Sequence, residues 1–86
     1  MNGGEFFRAY AEHHLASAKQ RATEHCVQAV QAASEAIAVA AVAADGWAEE
    51  ATRLADAAKK HHEAAVAWEA VIASCEAMLA GVEASS

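Results

Sequence analysis

One stretch decides the fold: residues 47–82, WAEEATRLADAAKKHHEAAVAWEAVIASCEAMLAGV. Its apolar residues recur at alternating steps of four and three, the spacing of a helix face that packs along its whole length against another helix. We call these positions the heptad seam. They are Trp47, Ala51, Leu54, Ala58, His61, Ala65, Trp68, Ile72, Cys75, Leu79 and Val82. The pattern predicts one long α-helix over this stretch.

The N-terminal half carries a second apolar stripe, whose steps of four, four and three residues predict a nearly straight helix face. The stripe comprises Phe7, Ala11, Leu15, Ala18, Ala22, Cys26, Ala29, Ala33, Ile37, Ala40 and Ala44. The chain contains no proline, so no proline interrupts this helix. Asn2, three residues before Glu5, has the spacing of an N-cap for it.

Asp45 and Gly46 interrupt both patterns and predict the bend between two antiparallel helices. Gly46 is expected to take the left-handed conformation that ends the first helix, while Asp45 caps the second. The sequence therefore predicts an all-α fold in a single domain over residues 1–86. Helix 1 is expected at about 4–44, the turn at 45–46 and helix 2 at about 47–82, with a frayed C-terminus.

Two helices alone leave several large apolar residues without a partner, and a contiguous apolar patch usually marks an interface. We therefore predict that the antiparallel two-helix hairpin self-associates into a four-helix bundle, most simply as a homodimer. The expected interface residues are Phe6, Tyr10, Val39, Val42, Trp68, Val71, Met78 and Val82.

The charge of the chain argues against two classes of partner. Twelve acidic residues against six basic ones give a formal net charge of -6. Such a surface repels phosphate backbones and anionic lipids, which predicts no nucleic-acid partner and no membrane. The longest charge-free apolar run, residues 36–44, is nine residues long, against the roughly 20 needed to cross a bilayer. The N-terminus lacks the pattern of a secretory signal. We expect a cytoplasmic protein.

Histidine and cysteine are the residues that suggest chemistry. His25, Cys26, His61 and His62 form the candidate metal site, because imidazole and thiolate are ligands for zinc or copper. The chain has no Glu-x-x-His or His-Glu-x-x-His spacing, so the ligands are expected to come from different helices or chains. The alternative for His61, which falls in the heptad seam, is a core histidine with a hydrogen bond across the seam.

The sequence gives no indication of catalysis. It contains neither a glycine-rich phosphate loop nor a nucleophile elbow, and no catalytic residue or organic cofactor is predicted. The expected function is a non-enzymatic module for protein–protein interaction or structural scaffolding, with itself and possibly another protein as partner. The alternative is a metal-binding helical bundle with zinc or copper held by His and Cys from different helices.

In outline, an alanine-rich acidic hairpin with a tryptophan at its bend resembles the small substrates of type VII secretion. Those proteins carry Trp-x-Gly at the bend, whereas the order here is Gly46-Trp47. The short RNA-binding hairpins of plasmid copy control have a similar architecture and present a basic face, which this acidic chain lacks. We predict membership of neither family.

Overall fold

Two long antiparallel helices make up the computed structural model, which describes residues 3–85 and the side chains of residues 3–84. The helices are α1, Gly3–Val42, and α2, Trp47–Ser85, and they pack against each other along their length. The hairpin is slender, measuring 63 × 16 × 13 Å. The all-α fold and the helical hairpin are therefore confirmed. The predicted N-cap, Asn2, lies outside the described residues.

The heptad seam of α2 faces α1. Leu54, Ala65 and Cys75 are buried, and the other seam residues from Ala51 to Val82 are half-buried. Trp47 is the exception, with 41% of its surface exposed at the end of the hairpin. The sequence pattern thus identified the packed face of α2 correctly.

The packed face of α1 matches the predicted stripe from Ala11 to Ala22, but Phe7 before it is 40% exposed and the two patterns diverge after Ala22. Apart from Ser17, its buried and half-buried residues are Ala11, Leu15, Ala18, Ala22, His25, Ala29, Ala32, Ala36 and Val39. These repeat at alternating steps of four and three, so the eleven-residue period was wrong. A helix whose partner keeps a seven-residue repeat must keep the same repeat to stay in contact with it. Cys26 and Ile37, both expected in the stripe, are consequently exposed.

The connection spans four residues, 43–46, and Ala43 takes the role expected of Gly46. Helix α1 ends at Val42, two residues earlier than predicted. Ala43 has the left-handed φ of 52°, and its N–H donates to the Val39 carbonyl oxygen over 3.0 Å. This single bond closes the last turn of α1 in the pattern of a left-handed helix cap.

Gly46 is also left-handed, with φ 77°, but it stands directly before α2. Its carbonyl accepts the first helical bond of α2 from the Glu50 N–H, at 3.2 Å. At its other end, α2 runs to Ser85, so the fraying expected after residue 82 is not seen within the described residues. Leu79 and Val82 remain half-buried, which continues the packed face past Gly81.

The turn supports a prediction of opposite effects at its two left-handed positions. Replacing Ala43 with glycine removes the strain of an L-residue in that conformation and is expected to raise the free energy of unfolding by about 0.5–1 kcal/mol. Replacing Gly46 with alanine is expected to lower it by about 1 kcal/mol. No atom lies within 4 Å of a Cβ at Gly46, so backbone strain alone carries that loss. Urea denaturation measures both, and equal shifts of the two variants would contradict this turn.

Candidate functional site

A pair of histidines occupies the middle of the interface between the helices. His25 of α1 and His61 of α2 are half-buried, and their Nδ1 atoms are 3.1 Å apart. At that distance, one imidazole Nδ1–H donates to the Nδ1 of the other, with the two rings in different tautomers. The prediction that His61 is a core histidine with a hydrogen bond across the seam is confirmed.

The orientation of the two rings identifies the contact as a hydrogen bond. Their centroids are 5.4 Å apart, and the ring planes are inclined by 32°. The centroid separation exceeds the distance between the Nδ1 atoms by about the sum of two imidazole radii, so the Nδ1 atoms lie almost on the line joining the ring centres. This near-linear arrangement is the one that a hydrogen bond prefers.

Small side chains make room for the two rings. One helical turn away from His25 are Ala22 and Ala29, and one turn away from His61 are Ala58 and Ala65, all of them buried or half-buried. Larger neighbours at these positions would occupy the space of the rings. The alanine-rich sequence therefore positions the histidine pair as well as the helices.

The structure brings together half of the candidate metal site. His25 and His61 are in contact, whereas Cys26 and His62 are exposed outside the seam. Adjacent residues on a helix point about 100° apart, which explains why each pair of neighbours is divided in this way. Within residues 3–85, no three His, Cys, Asp or Glu side chains are grouped to hold a metal ion.

The predicted interface residues fall into two groups. Those on the surface are Phe6, Tyr10, Val42, Val71 and Met78, with exposures from 39% for Val71 to 76% for Val42. The other three, Val39, Trp68 and Val82, are half-buried on the packed faces of the two helices. Val39 lies off the predicted stripe of α1, but it belongs to the packed face that the structure defines.

One apolar surface lies near the chain termini. Tyr10 and His14 of α1 line a groove with Val71 and Met78 of α2, and we call these four residues the Tyr10 surface. The Tyr10 ring contacts the His14 ring with their centroids 4.3 Å apart and their planes tilted by 53°, and Phe6 lies one turn before Tyr10. The sequence identified this surface through Tyr10, Val71 and Met78.

A second apolar surface, on the turn half of the hairpin, was missed. We call it the Ile37 surface: Val30, Ile37 and Ala40 of α1 with Ala48 and Ala55 of α2. Val30 is 65% exposed and Ile37 is 71% exposed. Ile37 lines a shallow groove with Ala40, Ala48 and Ala55, which shows that these residues of the two helices share one side. The surface was missed because Ile37 was assigned to the packed face. Val30, seven residues earlier on the same side of α1, was the sequence signal for it.

Charged contacts occur close to the turn within α2. Arg53 donates to Glu50 from two of its three guanidinium nitrogens, Nη2 to Oε1 and Nε to Oε2, the latter over 3.1 Å. The hydrogen bond from Arg53 lowers the pKa of the Glu50 carboxyl. The contribution of this ion pair to folding is therefore lost as the pH falls through the lowered pKa of Glu50. Both side chains are well exposed, so this pair contributes little to stability.

Each helix also contains an 18-residue window that is long and apolar enough to cross a membrane by length and composition alone. The mean hydropathy is 1.2 for the window in α1 and 1.5 for the window in α2. No residue of the α1 window and 11% of the α2 window are buried in the hairpin. The apolar character of these helices is therefore mostly on the outside. The absence of a membrane partner stays a prediction.

Comparisons of the chain with protein-family models, curated proteins and solved structures found no match.

Proposed function

We propose that this chain is a non-enzymatic, self-associating helical hairpin that acts as a structural or protein-interaction module. One observation carries the proposal: among the described residues, Leu54 is the only large side chain that is buried, whereas many large hydrophobic side chains are exposed. The buried residues among those described are Ala11, Ala18, Ala22, Leu54, Ala65 and Cys75. The exposed large hydrophobic residues are Phe6, Phe7, Tyr10, Val27, Val30, Ile37, Val42, Trp47, Val66, Val71 and Met78.

This imbalance has an energetic consequence. Burial contributes about 25 cal/mol for each Å² of apolar surface, so alanines supply little stability compared with the valine and isoleucine side chains left in water. A chain of 86 residues is already small for a self-sufficient core. Covering the exposed residues with another protein surface therefore stabilises the hairpin itself.

The Ile37 surface is the better of the two surfaces for that contact. Between Glu24 and Asp45, the sequence has a single charged residue, Glu35. Glu35 and Ile37 are two residues apart in α1 and therefore point about 160° apart, on opposite flanks of the half-buried Ala36. The α1 part of the Ile37 surface is therefore free of charge, as the centre of an interface usually is.

A second copy of the chain is the partner that fits this surface. One long side of the hairpin measures 63 by 16 Å, or about 1,000 Å². A stable interface needs about 800 Å² from each partner, so the contact has to run along most of this side and beyond the Ile37 surface of the turn half. A two-fold axis through the Ile37 surface matches apolar residues with apolar residues and gives a four-helix bundle.

The net charge of the chain determines how this association depends on salt. Each copy carries a formal charge of -6, so two copies repel each other at a distance. Salt screens this repulsion, with a Debye length of about 10 Å at 0.1 M. The proposed dimer is therefore expected to tighten as the salt concentration rises, unlike an interface held mainly by ion pairs.

Sedimentation velocity tests the proposal directly. The untagged protein is expected to sediment as a dimer at micromolar concentration. Val30→Lys with Ile37→Lys places two charges in the proposed interface and is expected to give monomers. Val71→Lys with Met78→Lys adds the same charge to the Tyr10 surface and is expected to leave the dimer intact. Circular dichroism verifies that both double variants remain helical.

Three results would contradict this assignment. The first is a wild-type protein that stays monomeric at tens of micromolar. The second is a dimer that dissociates in the Val71→Lys/Met78→Lys variant and persists in the Val30→Lys/Ile37→Lys variant. That result would place the contact on the Tyr10 surface. The third is flotation of the wild type with neutral phosphatidylcholine vesicles, which would make lipid the partner of the exposed residues.

A further inference from the structure

We propose that His25 and His61 form a binding site for one divalent ion of the borderline transition metals, with Cu²⁺ and Zn²⁺ as the ions that fit its chemistry. The site lies within a single hairpin, so it does not depend on the self-association proposed above. It requires neither Cys26 nor His62, both of which are exposed outside the seam.

The spacing of the two Nδ1 atoms suits a shared metal ion. A bond from zinc to a histidine nitrogen is about 2.0–2.1 Å long, so two such ligands lie about 2.9 Å apart at a right angle and about 3.3 Å apart at the tetrahedral angle. The observed distance between the Nδ1 atoms of His25 and His61 is 3.1 Å. The two nitrogens therefore already have the separation that one shared ion requires.

The rings themselves must turn. Their Nδ1 atoms now point at each other, as a hydrogen bond requires, whereas two ligands of one ion must converge on a point beside the line that joins them. Along the packed face of α1 and the heptad seam, the residues one turn from each ring are Ala22, Ala29, Ala58 and Ala65, and none of the four has a side chain beyond Cβ. The alanine surroundings allow the pair to change from a hydrogen bond to a chelate.

The protons balance in this exchange. In the neutral pair, one ring carries its proton on Nδ1 and the other carries it on Nε2. Metal binding uses both Nδ1 lone pairs, so the first ring moves its proton to Nε2 and no net proton is released. A pair that already holds an extra proton releases that proton to solvent, and binding is therefore weaker in acid.

The chemistry of the site selects the class of ion. Neutral imidazole suits zinc, copper and nickel, whereas magnesium and calcium prefer oxygen ligands. Copper(II) is expected to bind more tightly than zinc, following the general order of divalent metals. The net charge of -6 favours the approach of any cation, but it does not distinguish among them. Water completes the coordination, since the described residues offer no group of three ligands.

Isothermal titration with CuCl₂ and ZnCl₂ tests the site, using the untagged full chain. The expected stoichiometry is one ion per chain, with copper tighter than zinc and no heat from MgCl₂. His25→Gln and His61→Gln are each expected to weaken binding by about tenfold or more, because one of two protein ligands is lost. Cys26→Ser, His62→Gln and the double variant His13→Gln/His14→Gln serve as matched controls and are expected to bind as the wild type does.

Stability provides an independent readout. An ion that binds only the folded hairpin is expected to lower the unfolding equilibrium constant about 100-fold when its free concentration is 100 times the dissociation constant. At the same ion concentration, the two glutamine variants at His25 and His61 should show a lowering of the unfolding equilibrium constant that is smaller by about tenfold or more, while keeping their helical circular dichroism. A variant that loses its helicity without metal is replaced by the corresponding asparagine variant.

The proposal is overturned if His25→Gln and His61→Gln bind copper and zinc as the wild type does. It is also overturned if Cys26→Ser or His62→Gln abolishes binding, or if one ion is bound per two chains. A monomeric wild type in sedimentation would refute the proposed self-association and leave this site untouched. The two proposals therefore fail on different measurements.

Discussion

Replacing Ala18 with aspartate is expected to remove most of the stability of the hairpin. Ala18 is completely buried, with 0% exposure, and it belongs to the packed face of α1. A carboxylate placed there loses its water and meets no cationic partner on that alanine-rich face. Leaving a charge buried and unpaired costs about 3–5 kcal/mol, which is a large fraction of the total stability of a small domain.

Ala16→Asp provides the matched control. Ala16 stands two residues earlier on the same helix and is exposed, so its substitution changes the charge and the helix propensity in the same way without burial. Its expected cost is about 0.7 kcal/mol or less, the difference in helix propensity between alanine and aspartate. Urea denaturation followed by circular dichroism compares the two variants. Equal losses of stability at positions 16 and 18 would show that residue 18 is not between the helices.

The sequence predicted the packed face of α2 because its periodicity is strict and its large residues obey it. Leu54, Trp68, Ile72 and Leu79 all fall on the seven-residue repeat, and no competing face of that helix carries as many large apolar residues. Burial follows the same residues in the structure. A regular repeat with large side chains therefore identifies a helix face without further information.

The packed face of α1 could not be chosen from its own sequence. Alanines occupy neighbouring faces in that helix, so the stripe through Ala33 and the face through Ala32 bury almost the same apolar area. Counting Ile37 as a core residue favoured the wrong face. Which face of α1 packs depends on the partner helix, α2, because the seven-residue repeat of α2 selects Ala32, Ala36 and Val39.

The same ambiguity hid one member of the histidine pair. His61 was placed in the packed face by the repeat of α2, and its hydrogen bond across the seam was expected. His25 was grouped with His61 in the candidate metal site, but the predicted stripe placed its neighbour Cys26 on the packed face instead. Only the structure shows that His25 occupies the packed face. In alanine-rich helices, a polar residue can be the one that faces the partner when a second polar residue meets it.

The residue that ends α1 was also predicted incorrectly from the sequence, for a different reason. Gly46 was the natural residue for the left-handed end of α1, since glycine adopts that conformation without strain. The structure uses Ala43 there and keeps Gly46 for the start of α2. Two left-handed positions three residues apart are needed to reverse the chain in this connection, and the sequence offers only one glycine nearby.

The reversal of the chain at residues 43–46 predicts a short distance between the ends of the two helices that lie away from the turn. Ala9 of α1 and Ala80 of α2 are both exposed, and each lies about 36 residues from the centre of the turn. In an antiparallel hairpin they are on the order of 20 Å apart when labelled, since packed helix axes lie about 8–10 Å apart. In one continuous helix, the 71 residues between them would span about 105 Å.

Pulsed electron spin resonance measures this distance most directly. Cysteines at positions 9 and 80 carry the spin labels, with Cys26→Ser and Cys75→Ala removing the two native thiols. Mixing with excess unlabelled protein ensures that each measured pair belongs to one chain. We expect a narrow distribution centred at about 20 Å. A distribution centred beyond about 60 Å would show a chain that does not fold back on itself, and would contradict the packed faces, the histidine pair and the Ile37 surface together.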